Sequence, residues 1–228
     1  MQRDASNLRA HGHADVGHGT GESLVLHLIH PLVPRPATLV GITSIKEHHD
    51  RSDVRTRSVL ADMGAAAPTV ELHHADAVYR ASGSCQEHPL SPSSLPYTAV
   101  LALDCAYHFK TRRLFLNQCF DKLVPGGCIG LADICFDFPS TSKWRSYFIS
   151  FMGIMPRANV VNPTEYVQIL EDLGFIDIEL QDITADVFPG FFTFLRSQGG
   201  LWPLFVAIMS VLVRCGMQFV IVNARTPL

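Results

Sequence analysis

Residues 15–21 read Asp-Val-Gly-His-Gly-Thr-Gly, with Glu22, Ser23 and an apolar run beginning at Leu24 directly behind them. Glycines at alternate positions let a chain turn sharply out of a strand and bring its backbone close to a ligand, with no Cβ in the way. A helix opening at Glu22 then aims its free N–H groups at that ligand. A second loaded stretch, Asp104-Cys-Ala-Tyr-His-Phe109, follows the apolar run Tyr97–Leu103. Its side chains therefore emerge at the end of a buried strand, where open α/β sheets bind ligands. His108 is the natural general base of this stretch, because an imidazole titrates near neutral pH. Tyr107 can shape a pocket or hydrogen-bond a substrate.

Two other sets of reactive side chains point away from chemistry. Eleven histidines raise the question of a metal, above all His11, His13 and His18, yet no Cys/His spacing matches a recognised ligand set. No metal is expected, and the His-Gly-His segment reads as exposed and flexible. The six cysteines, at 85, 105, 119, 128, 135 and 215, form no Cys-x-x-Cys pair, and several lie inside apolar runs. They read as buried free thiols in a reducing, cytoplasmic setting.

These groups must be positioned by one domain covering residues 1–228, with residues 1–12 flexible. Hydrophobic content of 47% and charged content of 17% suit a packed core, and a net charge of −3 offers no basic field for nucleic acid. The first twenty residues are too polar for a secretory signal. Residues 201–213 form the longest apolar stretch, but it contains Pro203 and falls short of the roughly 20 residues a bilayer span needs. It reads as a buried helix or a lid over an apolar substrate.

Strand-like and helix-like runs alternate, which implies a parallel sheet covered by helices. Strands are expected at 38–43, 69–74, 97–103, 128–134, 175–180 and 218–222. Helices are expected at 46–63, at 109–123 with Leu114, Phe115, Phe120 and Leu123 inward, and at 142–155. Another should begin at Asn162-Pro-Thr-Glu165 and stop at Gly174. Pro125-Gly-Gly127 reads as a tight turn, 81–96 as a loop, and 188–216 as an apolar helical insertion. The segments 140–160 and 186–215 are thus helical insertions on the substrate side. Residues 11–16, preceding the glycines, should be a central and almost wholly apolar strand, and they are not.

The spacing Asp-x-Gly-x-Gly-x-Gly is one residue tighter than the dinucleotide fingerprint. It resembles the glycine motif of class I S-adenosylmethionine-dependent methyltransferases. Further landmarks follow in order: Gly41-Ile-Thr-Ser44, Ala75-Asp76-Ala77, Asp104 to Phe109, and Leu123-Val-Pro-Gly-Gly127 ahead of Asp133. Together they cover about residues 14–135 and look like the small-molecule branch related to ubiquinone, sterol and natural-product enzymes. The resemblance implies a Rossmann-like α/β fold with a seven-stranded, mostly parallel sheet, an antiparallel final strand and helices on both faces. It implies S-adenosyl-L-methionine as cofactor, backed by Gly17, His18, Gly19, Thr20 and Gly21, with Asp15 near the methionine amino group. Thr43 and Ser44 would meet the ribose, Asp76 the adenine amino group, Ala77 the ring face, and Asp104 the methionine end. His108 and Tyr107 would act on a small, apolar acceptor. Relative to the family the chain reads as shortened at its amino end. A degenerate, non-catalytic relative is therefore the alternative. A nicotinamide oxidoreductase is disfavoured by the spacing and by the missing acid about 20 residues beyond the glycines.

Overall fold

The computed structural model describes residues 12–81 and 88–228. Its frame is one seven-stranded sheet of β1 (Gly12–Val16), β2 (Thr38–Thr43), β3 (Thr69–His74), β4 (Tyr97–Leu103), β5 (Leu123–Phe136), β6 (Ile176–Asp182) and β7 (Met217–Arg225). The order is β3-β2-β1-β4-β5-β7-β6. β1 to β5 run parallel, and β7 lies antiparallel between β5 and β6. Strand order reverses between β1 and β4, which leaves a crevice at their carboxyl ends. The helices are α1 (Glu22–Ile29), α2 (Lys46–Met63), α3 (Arg112–Lys122), α4 (Lys143–Phe151), α5 (Pro163–Leu173), α6 (Thr184–Ser197) and α7 (Trp202–Arg214).

β1 is the least strand-like sequence in the sheet and one of its central strands. It pairs with β2 from His13↔Leu39 to Val16↔Ile42, and with β4 on its other side. Ala14 and Val16 enter the main core with Val40 and Ile42, against Phe115 and Leu116 of α3 and Tyr166 of α5. A separate cluster, Leu24 and Leu28 of α1 with Leu39 of β2, is fully buried, each side chain contributing roughly 1.5–3 kcal/mol. His13 reaches His27 of α1, with ring centroids 5.6 Å apart. Burial lowers His13 to about 4 and lowers His27 as well, so both rings are neutral at pH 7 and pack as small aromatics. The expectation of a flexible 1–12 and an exposed His-Gly-His is thus corrected at Gly12 and His13, which ladders on both sides hold in place. Residues 1–11, His11 among them, lie outside the described residues.

Other boundaries shift for identifiable reasons. β5 runs straight through Pro125-Gly-Gly127 because the tail pairs with it: Gly126 N–H donates to Pro227 O (3.0 Å) and Thr226 N–H to Gly127 O (2.9 Å). α3 starts only at Arg112, where Thr111 Oγ1 accepts from the N–H of Leu114 (3.3 Å). Leu114 faces outward, whereas Phe115 is buried as expected, together with Leu116 and Cys119. The apolar insertion is two helices, because Gly199 and Gly200 sit at φ +70° and +60° and break the run between α6 and α7. α5 matches its sequence signals closely. Asn162 caps it in a reciprocal capping box with Glu165, and Gly174 closes it at φ +96°. α4, α6 and α7 gather a second apolar cluster, including Phe136, Ile149, Phe188 and Leu212, at the far end of β5 and β7.

A histidine that titrates near 6.5 unfolded but lower when folded leaves the unfolded state holding more protons in between, so stability falls as pH drops below about 6.5. Replacing His27 with Leu should flatten this limb. In thermal melts from pH 7 to 4, the variant's Tm relative to wild type should rise steadily as pH falls. A constant difference would show that the pair does not couple to acid.

Candidate functional site

A cleft of about 970 Å³ opens at the switch point. Gly17, His18 and Gly19 form one side, with Glu22, Ser23 and Leu26 of α1 beside them. Thr43 to Ile45 after β2, and Asp76 with Ala77 after β3, form a wall. Leu103 to Cys105 and His108 to Lys110 close it after β4. The glycine turn and the histidine corner therefore share one cavity.

Each glycine of the turn is needed for a different reason. All three have positive φ, from +56° to +92°. A Cβ on Gly17 would lie 2.5 Å from Cys105 Sγ, and one on Gly21 2.9 Å from Ser52 Cβ of α2. One on Gly19 would meet nothing within 4 Å, so Gly19 faces open space. The turn is tied to its neighbours by Gly17 N–H donating to Ile42 O (2.7 Å) and Cys105 Sγ to Val16 O (3.2 Å). Thr20 and Gly21 do not line the cleft. Thr20 Oγ1 donates to the Glu22 carboxylate at 2.7 Å, and Arg55 of α2 pairs with that carboxylate. Arg55 first, then Thr20, hold Glu22 down to about 2.

His18 is buried and leans on β2, where a Cβ on Gly41 would approach its ring to 2.9 Å. Burial lowers it to about 4, which leaves a neutral ring in the wall at pH 7. Asp15 lies fully buried beneath the turn rather than on the cavity surface. Its carboxylate makes no well-aligned hydrogen bond among the described residues, and burial raises it to about 6, opposed only in part by the Ser23 hydroxyl at the start of α1. An unpaired buried carboxylate is costly unless something cationic or hydrogen-bonding completes it. Asp76 does cap its own turn, with Oδ1 accepting from Val78 N–H (2.9 Å), and still lines the cleft.

The β4 end is held under tension. Asp104 adopts φ +57°, an uncommon conformation for a residue with a side chain, and Tyr107 Oη donates to its Oδ1 (3.0 Å). Burial raises the Asp104 carboxyl despite that bond. Tyr107 is not on the cleft wall: its ring packs against the second apolar cluster and lies 4.2 Å from the His108 ring. His108 is lowered by burial, so it is neutral and able to accept a proton at pH 7.

Sequence reasoning missed the residue that fixes this corner. Asn159, on the 3-10 turn after α4, donates through Nδ2 to the carbonyls of Tyr107 (2.8 Å) and Phe109 (2.7 Å), on either side of His108. Its Oδ1 accepts from Arg112 N–H (2.9 Å). The Arg112 guanidinium donates to Asn159 O and Ile134 O, and it pairs with Asp133 at 2.8 Å. Tyr166 Oη donates to Asp133 Oδ2 (2.7 Å) and its ring faces the Arg112 guanidinium. No motif spacing announces such a clamp. Among the described residues no group of three or more His, Cys, Asp or Glu could hold a metal.

No family model matches the chain. It is 27% identical over 182 residues to erythromycin 3''-O-methyltransferase of Saccharopolyspora erythraea, a match covering 76% of this chain and 53% of that protein. Phosphoethanolamine N-methyltransferase 2 of Haemonchus contortus, solved with phosphomonomethylethanolamine and S-adenosylhomocysteine, superposes with a TM-score of 0.68 at 16% identity over 96% of this chain and 49% of its own. The [4+2]-cyclase SpnF superposes at 0.67 and 17%, covering 96% and 75%. Geranyl diphosphate C-methyltransferase of Streptomyces coelicolor follows at 0.64 and 17%, covering 94% and 72%. The chain thus has the Rossmann-like class I methyltransferase fold, and it spans about half the length of the curated relative it matches.

Asn159→Leu strands the two carbonyls and the Arg112 N–H, each lost buried partner costing roughly 1–3 kcal/mol. Urea unfolding should show a loss of about 3 kcal/mol. A loss well below 1 kcal/mol would mean that water replaces the clamp.

Proposed function

We propose that this chain carries out S-adenosylmethionine-dependent methyl transfer to a small, apolar metabolite of the natural-product kind. The reading is carried by one observation: the glycine turn and His108 face the same cleft, with Thr43, Ser44, Asp76 and Ala77 between them. The curated relative supports methyl transfer, and as a 3''-O-methyltransferase it favours a hydroxyl acceptor.

The residues fit the cofactor. Gly19 leaves the approach clear, and Asp15, buried beneath the turn, sets an acidic group behind the backbone that the methionine end would approach. The hydroxyls of Thr43 and Ser44 suit ribose, while Asp76 and Ala77 suit the polar edge and the face of adenine. When bound, S-adenosylmethionine supplies a methyl group already activated on a sulfonium. The chain's own work is then to align the acceptor, exclude water and remove a proton. His108 takes the acceptor's hydroxyl proton on a ring nitrogen, and the Tyr107–Asp104 pair stiffens the corner that carries it. Leu26, Leu103 and Phe109 give the cleft apolar surface for such an acceptor. A degenerate, merely binding protein is not favoured, since the turn is open where a ligand must pass and the base is neutral. The five described cysteines are all unpaired, in keeping with a cytoplasmic, reducing setting.

Isothermal titration with S-adenosylmethionine and S-adenosylhomocysteine should give micromolar binding that Gly19→Trp removes, by filling the open side of the turn. No heat with either ligand would end the reading. Because a cyclase shares this fold, transfer of a labelled methyl group to an accepted substrate must also be seen. With such a substrate, His108→Ala should lower turnover about 10²–10⁴-fold while leaving S-adenosylhomocysteine affinity unchanged. Wild-type turnover should fall on the acid side, with a midpoint below 6.5, and that limb should vanish in the variant. Unchanged turnover would remove His108 from the reaction.

A further inference from the structure

We propose that the layer built by α4, α6 and α7 docks on an anionic phospholipid surface. Its inner side packs Ile149, Phe188, Phe192, Val206 and Leu212 into the second core. Its outer side is apolar too. On α4, Trp144, Tyr147, Phe148 and Phe151 recur at the spacing of one helical face, with Trp144 71% and Phe151 88% exposed. On the α7 side, Leu201, Leu204, Phe205, Ile208 and Val211 repeat the pattern, with Leu204 62% exposed. The helices are neighbours, because a groove of about 480 Å³ runs between Trp144 and Phe148 of α4 and Val211 of α7. Helices apolar on both sides need a second apolar phase, and isolated exposed residues do not form such continuous stripes.

Charge selects the phase. Segments 138–164 and 187–217 contain Lys143, Arg145, Arg157, Arg196 and Arg214 and no Asp or Glu, in a chain of net charge −3. Asp137 in the groove, Glu165 at the start of α5, which accepts from Ser140, and Asp186 at the start of α6 are the carboxylates just outside these segments. Among the described residues none of the five cations forms an ion pair, whereas Lys46, Arg55 and Arg57 of α2 all do. Arg145 lies over the Phe138 ring at 5.1 Å, Arg157 over Tyr147 at 4.2 Å and Arg196 over Phe192 at 6.0 Å. Unpaired guanidiniums stacked on rings beside exposed Trp and Leu suit phosphate headgroups above acyl chains. A two-fold pairing of copies through this face would set like charges against each other, which argues against self-association. No described helix is long and apolar enough to cross a membrane, so the layer lies on the surface.

The test is co-sedimentation with vesicles of phosphatidylcholine alone and of phosphatidylcholine with phosphatidylserine. It needs no cofactor, so failure of the methyl-transfer reading leaves it untouched. Binding to the anionic vesicles should be at least tenfold tighter and should weaken as salt rises. Arg145→Glu with Arg214→Glu should reduce it to the neutral-vesicle level, and Leu204→Asp with Ile208→Asp should abolish both. Unchanged circular dichroism would show that the variants fold. Absence of binding to anionic vesicles, equal binding to both kinds, or a dimer in light scattering that Leu204→Asp dissolves would each overturn the proposal.

Discussion

The Arg112–Asp133 ion pair is the constraint from which the site's geometry follows. Both side chains are essentially inaccessible to water, at 2% and 0%. Burying two charges costs several kcal/mol per ion after relaxation, and attraction alone seldom recovers it. Here other donors and acceptors around the pair are partnered as well, although Arg112 Nε meets Asp133 off the line of a hydrogen bond. Ile134 N–H and Tyr166 Oη serve the carboxylate, while Asn159 O and Ile134 O take guanidinium protons. The exposed pairs on α2 are a different matter, screened by water and adding little. The buried pair joins β5, α3, α5 and the turn after α4, and through Asn159 it reaches the corner bearing His108.

Several ionisable groups in and beneath the cleft are held neutral or paired. His18 is neutral at pH 7, His108 is lowered below its ordinary value, and Asp15 has its ionisation opposed by burial. Glu22 is fully ionised, but Arg55 answers it across α1 and α2. The β4 corner concentrates the remaining polarity, with the strained Asp104 and the phenol of Tyr107 sharing a hydrogen bond.

Local signals carried most of the architecture. The ranges of β2, α2 and β3 follow directly from β-branched and polar runs, and α5 from its cap, proline and terminal glycine. β1 is strand because its neighbours on both sides demand a partner, and its own residues gave little hint of it. Its one histidine, His13, passes as apolar only once burial has stripped its charge. Leu114 was misjudged because its apolar side chain suggested an inward position, whereas the face packed on the sheet runs through Phe115, Leu116 and Cys119. That Gly17, Gly19, Thr43, Ser44, Asp76, Asp104 and His108 border one cleft was legible because each lies at or just beyond a strand end. Asn159 and Arg112 were not, since a buried polar network has no period and its members lie 47 residues apart.

Asn159 also bears on how such a molecule can be rebuilt. It belongs by sequence to the helical excursion between β5 and α5, yet it braces a loop on the other side of β5. An engineer exchanging that excursion for one from a relative, hoping to alter which acceptors fit, would unknowingly remove the strut under His108. That helical excursion and the loop bearing His108 are therefore mechanically inseparable unless the graft retains an amide at that one position.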